Sequence, residues 1–536
     1  MDIALPVLGG LGLFLYGMNL MGNGLQKAAG SRLRKLIEVL TNNRFMGVLV
    51  GIIVTMIVQS SSATSVMVIG FVNAGLMTLT QAVGVIMGAN VGTTVTAQLI
   101  AFDIIKYAPL AIAIGVAYWI ASSKKKHKDT AEILIGFGLL FIGMDMMSTG
   151  LAPLADNQIF VNMMVNLNNP IVGMLAGVVL TTVFQSSSAA IGLLQALAGQ
   201  GLVTMNMSFL VLFGENIGTT TTGLISSLGA NKTAKRAAII HFLFNLVGTI
   251  IFMTVLRMPI QALVVRITPY DVKRQIANAH TLFNIINLII QFPFAGLLVK
   301  AAQFLVPGED KAAAKASIYL DERIIETPSI ALGQVNKEIN RMGDLVLNNL
   351  ILANEVFSDE KYSGIELVYE QEQLINKIEK EITDYLVKLS KASLSEKQNA
   401  EINILFYTIN DIERVGDHVE NIVELSEYKL KNNLSFTRDA IDELHEMFEA
   451  CIAAFSKTMI AFETGNELIA REVLVIEDKV DMLESKNRAN HIDRLSKMEC
   501  ETGPGIVFLD AISNLERVAD HSVNIATYII DKLENK

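Results

Sequence analysis

Two four-residue stretches could do chemistry in an otherwise apolar part of this chain: Gln59-Ser60-Ser61-Ser62 and Gln185-Ser186-Ser187-Ser188. They interrupt the apolar stretches 44–72 and 170–198. An arm of about 15 residues rises only about 22 Å as helix, too short for a bilayer core of about 30 Å. A broken helix at such depth is tolerated only where it is buried in protein or lines a cavity. Three consecutive hydroxyls at the junction of two half-helices, beside free N–H groups and the positive end of a helix dipole, make a site for an anion. Each tip is followed 29 residues later by a second polar cluster, Gly88-Ala89-Asn90-Val91-Gly92-Thr93-Thr94 and Gly214-Glu215-Asn216-Ile217-Gly218-Thr219-Thr220. Glycine permits unwinding, and freed carbonyls with Asn and Thr oxygens suit Na+, so discontinuous helices are predicted at both. The plainer alternative is that these hydroxyls bond back to their own helices or join neighbours. Glu215 is a lone carboxylate in apolar surroundings, fit for an ion ligand, a proton carrier or a pairing with a neighbouring hydroxyl or amide.

The elements that must position these residues follow from composition. The chain has 536 residues, 51% hydrophobic and 18% charged, with a mean hydropathy of +0.43. The charge is split: residues 1–305 carry a net +9 and residues 306–536 a net −19. This excludes a single globular domain, and an acidic soluble part offers no basic footprint for nucleic acid. Both cysteines, Cys451 and Cys500, fall in the acidic part, so nothing asks for an oxidising compartment. Membrane helices are predicted near 3–22, 81–101, 107–122, 131–152, 207–228, 237–256 and 278–299.

Superposing the chain on itself at an offset of 126 residues aligns both polar clusters without a gap, together with Gly47, Gly51 and Thr55 on Gly173, Gly177 and Thr181. Residues 43–99 give about twenty identities in that register, the mark of a transporter built from two related halves. Repeat 1 spans about 5–122 and repeat 2 about 131–256, with a last membrane helix near 278–299. If the Ser-rich stretches are re-entrant hairpins, one repeat holds three crossings, and an odd number makes the second copy inverted. Arg32-Leu33-Arg34-Lys35, residues 124–128 and residues 231–236 then share a cytoplasmic side with the acidic part. Arg257, Arg266, Lys273 and Arg274 fall on the other side and oppose this arrangement.

After a linker, 306–327, residues 328–536 read as helix throughout and are also duplicated. Asn410 to Asn421 matches Ser513 to Asn524, and Glu372, Asn376 and Glu379 match Glu477, Asp481 and Glu484. Two three-helix units are predicted. Glu413 and Asp417, like Glu516 and Asp520, are four apart and share a helix face, which could offer oxygen ligands to Mg2+, Mn2+ or iron. An intrahelical salt-bridge ladder through Arg414 and Arg517 is the alternative.

The paired Q-S-S-S tips with G-x-N-x-G-T-T at fixed spacing resemble the type II sodium/phosphate cotransporter family over roughly residues 5–300. The resemblance implies phosphate binding by Gln59, Ser60, Ser61, Ser62, Gln185, Ser186, Ser187 and Ser188. It implies sodium binding by Thr64, Ser65, Asn90, Gly92, Thr93, Thr94, Asn216, Gly218, Thr219 and Thr220. Ala190 and Ile191 stand where the first hairpin has Thr64 and Ser65, so the second hairpin departs from the pattern. Residues 328–533 resemble PhoU, the helical regulator of bacterial phosphate metabolism, whose E-x-x-x-D motifs hold multinuclear metal clusters. That implies a divalent or ferric metal at Glu413, Asp417, Glu516 and Asp520, and is compatible with a homodimer.

The expected fold is therefore all-α: a polytopic membrane protein of two inverted repeats with re-entrant hairpins, followed by a soluble PhoU-like bundle. The expected function is Na+-coupled transport of inorganic phosphate across a bacterial inner membrane, by alternating access around a midplane site, with lipid around it and a cytoplasmic regulatory domain. Export, carriage of another oxyanion or carboxylate, and a non-transporting phosphate sensor are the rivals. The chain contains no P-loop, G-x-S-x-G or H-E-x-x-H, and the serine triplets have no nearby His/Asp pair, so an enzyme is not expected.

Overall fold

The computed structural model describes residues 3–29, 43–102, 104–122, 125–308, 317–358, 364–392 and 394–534. The basic stretch 32–35 and residues 309–316 of the expected linker lie outside them. Among the described residues the protein is all-helical. It forms two compact units, Met1–Ala313 with Asp321–Ile330, and Ala314–Leu320 with Ala331–Lys536.

In the first unit the helices are α1 (Ala4–Ala29), α2 (Arg44–Val58), α3 (Ser61–Asn73), α4 (Leu79–Ala101), α5 (Ala108–Ala121), α6 (Lys125–Leu151), α7 (Gln158–Val165) and α8 (Pro170–Phe184). They continue with α9 (Ser187–Gly199), α10 (Met205–Gly218), α11 (Thr220–Ser226), α12 (Lys232–Ile251), α13 (Arg257–Ile267), α14 (Val272–Gln291) and α15 (Ala295–Leu305). Five continuous apolar stretches are long enough to cross a bilayer: Ala4–Ala29, Leu79–Ala101, His127–Asp156, Lys232–Ile267 and Val272–Leu305. The expected crossings at 107–122 and 207–228 are not among them. The first is a short helix, and the second is divided at Thr219 into α10 and α11. The last two stretches run longer than expected, because a π turn at Phe252–Leu256 and a 3-10 turn at Phe292–Phe294 carry the helix on instead of ending it.

Inversion of the repeats is visible in how α1 meets α6. A Cβ on Gly10 would lie 2.6 Å from Gly143 O, and one on Gly17 would lie 2.6 Å from Gly136 O. Gly10 and Gly136 are equivalent at the 126-residue offset, as are Gly17 and Gly143. Each glycine thus touches the partner of the other, as a two-fold axis requires, and the helices run antiparallel. Only glycine allows this approach, since any side chain would meet backbone.

The second unit holds α16 (Pro328–Ser358), α17 (Ile365–Leu389), α18 (Glu396–Lys431), α19 (Arg438–Thr464), α20 (Glu467–Ser496) and α21 (Thr502–Glu534), two three-helix units. Ile375, Ile378, Ile382, Leu405, Ile412 and Val415 build one buried stripe, and Leu515, Val518 and Ile525 its counterpart. The two copies exchange contacts as well. His521 Nδ1 pairs with Asp411 Oδ1 at 2.8 Å, His418 Nδ1 pairs with Asn514 Oδ1 at 2.9 Å, and the two imidazoles stack.

Gly143→Leu should overpack the α1–α6 seam and cost about 1–3 kcal/mol. Gly12→Ala on α1, where a Cβ meets nothing within 4 Å, should cost nothing beyond about 0.5 kcal/mol. Thermal unfolding of the detergent-solubilised protein separates the two.

Candidate functional site

The tips are built by local hydrogen bonding. Helix α2 ends at Gln59, which adopts the left-handed conformation (φ 58°), and Ser60 turns extended to cap α3, accepting from Ala63 N at 3.1 Å. Helix α8 ends identically at Gln185 (φ 54°), with Ser186 capping α9 through Ala189 N at 3.2 Å. A left-handed non-glycine residue costs about 1–2 kcal/mol, and both repeats bear it. The chain reverses at the first tip. Thr55 Oγ1 donates to Thr64 Oγ1 at 3.1 Å, whereas nine residues of straight helix would separate them by about 13.5 Å.

Two serines of each triplet keep their donors. The first intrahelical bonds run from Thr64 N to Ser60 O and from Ala190 N to Ser186 O, so the N–H groups of Ser61, Ser62, Ser187 and Ser188 lie ahead of them. These four serines are buried residues, and their hydroxyls form no side-chain hydrogen bond among the described residues. Each tip therefore presents two O–H and two N–H donors with a helix dipole behind them, a donor set for an anion.

The second clusters have the opposite character. Thr93 donates to Ala89 O and Thr94 to Val91 O, while Thr219 donates to Glu215 O and Thr220 to Ile217 O. With their protons committed to the helix, these hydroxyls turn lone pairs outward, which suits a cation. Asn90 and Asn216 likewise donate to Ile86 O and Leu212 O. The expectation of a broken helix at both clusters is corrected for the first: α4 runs unbroken through Asn90, Gly92, Thr93 and Thr94. In repeat 2 the equivalent back-bonds are joined by one from Thr221 to Gly218 O, and the helix parts at Thr219.

The repeats interleave. Helix α3 packs on α4 of its own repeat and on α11 of the other, and α9 packs on α10 and on α4. Thr96 on α4 donates to Gln59 Oε1 at 2.8 Å, tying the first tip to the first cluster. Gln185 is exposed. Thr64 and Ser65 are buried. Because Ala190 replaces Thr64 in the second copy, the hydroxyl of Thr181, equivalent to Thr55, is buried without a partner among the described residues. Glu215, where repeat 1 has Ala89, is 1% exposed, and neither carboxylate oxygen has a partner among the described residues.

A further polar pair escaped the sequence reading. His241-Phe242-Leu243-Phe244-Asn245 and His280-Thr281-Leu282-Phe283-Asn284 repeat at an offset of 39, which the 126-residue register hides. Both histidines are buried, and Asn245 and Asn284 each donate to the histidine carbonyl of their own motif. Helices α12 and α14 cross where Asn287 fills the space a side chain on Gly248 would need, and 248 and 287 are themselves equivalent at that offset.

In the second unit the carboxylates form two clusters instead of one four-carboxylate patch. Glu413 and Asp417 sit with Glu372 and Glu379 of α17, and Glu516 and Asp520 with Glu477, Asp481 and Glu484 of α20. Oxygens of Glu477, Asp481 and Asp520 lie within 4.8 Å of one another, a donor set of hard ligands that fits a divalent or ferric ion. Such an ion would supply the positive charge this cluster needs. Arg517 meets Asp520 at 3.0 Å and supplies part of it. Burial, then Asp481 and Asp520, raise the Glu477 carboxyl. In the first cluster Glu372 is buried with both oxygens unpartnered among the described residues, and burial followed by Glu420, Asp417 and Glu413 pushes its pKa up to about 8. The matches Glu372 with Glu477 and Asn376 with Asp481 were legible as repeats, but only packing shows that they face the E-x-x-x-D pairs.

Paired reversed helices with anion donors, flanked by cation-type oxygens and joined to a duplicated carboxylate-bearing bundle, define a multi-pass helical membrane transporter with an attached helical module. Family comparison agrees. The Na+/Pi-cotransporter model matches residues 13–149 and 141–268, and the PhoU domain model matches 339–426 and 444–529. The chain belongs to the Na+/Pi-cotransporter family and carries two PhoU domains. The "Putative inorganic phosphate export protein YjbB" of Escherichia coli (strain K12) is 23% identical over 98% of this chain and 97% of its own length. The uncharacterized protein YqeW of Bacillus subtilis (strain 168) is 29% identical over 55% of this chain and 96% of its own. Sodium-dependent phosphate transport protein 2A of Rattus norvegicus is 34% identical over 18% of this chain and 15% of its own. A crystal structure of PhoU from Pseudomonas aeruginosa is 19% identical, with a TM-score of 0.37, over 38% of this chain and 98% of that one.

Because the folded pKa of Glu372 lies above its unfolded value of 4.5, the folded state binds the proton more tightly. Stability of the second unit is therefore full below about pH 4.5 and declines as pH rises towards 8, by at most about 1.4 kcal/mol per pH unit. Glu372→Gln should flatten that decline. Melting curves from pH 6 to 8 in chelator, with and without Mn2+, test both this and the metal: Mn2+ should raise the melting temperature of the wild type, and Asp417→Asn with Asp520→Asn should cancel the gain.

Proposed function

We propose that this protein moves inorganic phosphate across a bacterial inner membrane, coupled to Na+, by alternating access around a site built from the two Gln-Ser-Ser-Ser tips. The observation that carries the reading is the division of labour between the motifs. The tips keep unspent O–H and N–H donors for an oxyanion, and the N-x-G-T-T clusters spend theirs and offer oxygens for Na+. Glu215, a buried carboxylate without a partner, adds a negative charge that a monovalent cation would balance. The acidic second unit lies in the cytoplasm, on the side of the basic loops, and regulates flux.

Export is the second reading, favoured by the name of the Escherichia coli relative, which matches this chain over nearly its whole length. The same site serves either direction. Phosphate flux in proteoliposomes under an imposed Na+ gradient, measured with the gradient in each orientation, tests coupling and direction together. Absence of phosphate flux in both orientations would sink the transport reading and leave a phosphate sensor.

Ser61→Ala and Ser187→Ala should each raise the apparent phosphate KM by roughly ten- to a hundredfold, since a hydrogen bond to a charged ligand is worth about 1.5–3 kcal/mol, while both proteins still insert. Unchanged phosphate kinetics in both would remove the tips from the site. Thr94→Val and Thr220→Val keep shape and delete an oxygen, so they should shift the Na+ concentration for half-maximal transport by about tenfold and the phosphate KM by much less. Transport driven equally well by a proton gradient alone would contradict this assignment.

A further inference from the structure

The chain between the two units does not cross over once; it goes out, returns and goes out again. Residues 317–320 belong to the second unit, Asp321–Ile330 to the first, and Ala331 onward to the second again. The outgoing part is anchored by carboxylates of the second unit. Ser317 N donates to Glu381 Oε2 at 2.9 Å, and Ile318 N and Tyr319 N donate to Glu338 Oε2 at 2.9 and 2.7 Å. Glu338 is fully buried and bonded to Arg341, so this anchor is held in turn.

The returning part is hooked onto the first unit. Asp321, 4% exposed, caps the turn Glu322–Ile324 by accepting from Arg323 N, and its Oδ2 accepts from both Asn73 Nδ2 and Arg323 Nη1 at 2.7 Å. Arg323 Nε donates to Ser226 O at 2.8 Å, and Ile324 is fully buried against Gly70. Asn73 completes the knot: its Oδ1 accepts from Asn231 N at 2.8 Å, and its carbonyl accepts from Asn231 Nδ2 at 3.0 Å. Gly70 and Asn73 end the first hairpin, whereas Ser226 and Asn231 flank the α11–α12 turn of repeat 2. One segment thus clamps a hairpin of one repeat to the other repeat.

The equivalent place in repeat 2 is held differently: Gln195 Nε2 donates to Lys273 O at 3.5 Å, and the Lys273 side chain lies against Gly199. Gly199, equivalent to Asn73, borders a cavity of about 350 Å³ lined also by Asp271, Val272 and Lys273. Both hairpin ends are met by a segment from outside the repeats, but the one at Asn73 carries the Asp321 carboxylate and runs on into the second unit.

We infer that Asp321 and Arg323 are positioning residues for transport, which hold the first hairpin against the α11–α12 turn in one half of the cycle and must let go in the other. Because residues 317–320 and α16 hold the segment at both ends, a rearrangement of the PhoU domains is delivered to the hairpin through Asp321. The inference rests on the transport reading above and names the route of its regulation.

The full chain in proteoliposomes tests it. Asp321→Ala removes the acceptor shared by Asn73 and Arg323, and should raise kcat for phosphate by about tenfold while phosphate KM stays within about twofold. Asn73→Cys with Asp321→Cys, in a Cys500→Ser background, should stop turnover when oxidised and regain it on reduction, with Na+ and phosphate still protecting the cross-linked protein against thermal unfolding. A kcat that does not rise in Asp321→Ala, together with an oxidised double-cysteine protein that still turns over, overturns the clamp and leaves transport intact. Absence of phosphate flux in the unsubstituted chain instead overturns the reading beneath it.

Discussion

A chain that turns back inside an apolar layer must bond every peptide group with what it carries along, because no water is there to do it. The two hairpins answer this constraint with four residues each. A left-handed glutamine ends one helix, a serine side chain starts the next, and the remaining serines are left with donors that the protein does not use. The left-handed glutamines are strained on their own, and they persist because the flanking helices are locked by glycine-mediated packing, Gly51 against Val85 and Gly177 against Val211. The unused donors are thus the by-product of a solved folding problem, and they are what makes the tips fit for an anion.

The same constraint separates the motifs by charge preference. A threonine inside a helix can always satisfy its proton on the preceding turn, so Thr93, Thr94, Thr219 and Thr220 become acceptors. A serine at the first turn has no preceding carbonyl to donate to and stays a donor. Position within the helix, more than residue type, decides which ion a hydroxyl can serve. The repeats then diverge where function can use asymmetry: Ala190 frees the Thr181 hydroxyl, Glu215 introduces a buried charge, and Asp321 holds Asn73 beside the α11–α12 turn.

Duplication in both units follows one geometric logic. Gly10 meets Gly143 while Gly17 meets Gly136, and His418 meets Asn514 while His521 meets Asp411. An exchanged contact of this kind needs one surface that is complementary to itself, so a single set of residues serves twice. Both carboxylate clusters arise in the same way, each from one long helix facing an E-x-x-x-D helix, and burial, followed by repulsion between the carboxylates, raises the Glu372 and Glu477 carboxyls.

The sequence by itself determined the helices, the 126-residue repeat, the hairpin tips and the duplicated bundle, because each rests on interactions spanning a few residues: caps, i to i−4 bonds, and apolar periodicity. Tertiary structure alone decided what depends on partners far along the chain. It kept α4 closed at Asn90–Thr94, left Glu215 without a partner, set Glu477 and Asp481 opposite Asp520, and folded a presumed linker back onto Asn73. The 39-residue repeat of His241 and His280 was written in the chain, yet only the crossing of α12 and α14 gave it meaning. A helix is bonded within itself and can be read from its own residues, whereas a buried polar side chain takes its role from whatever packs against it.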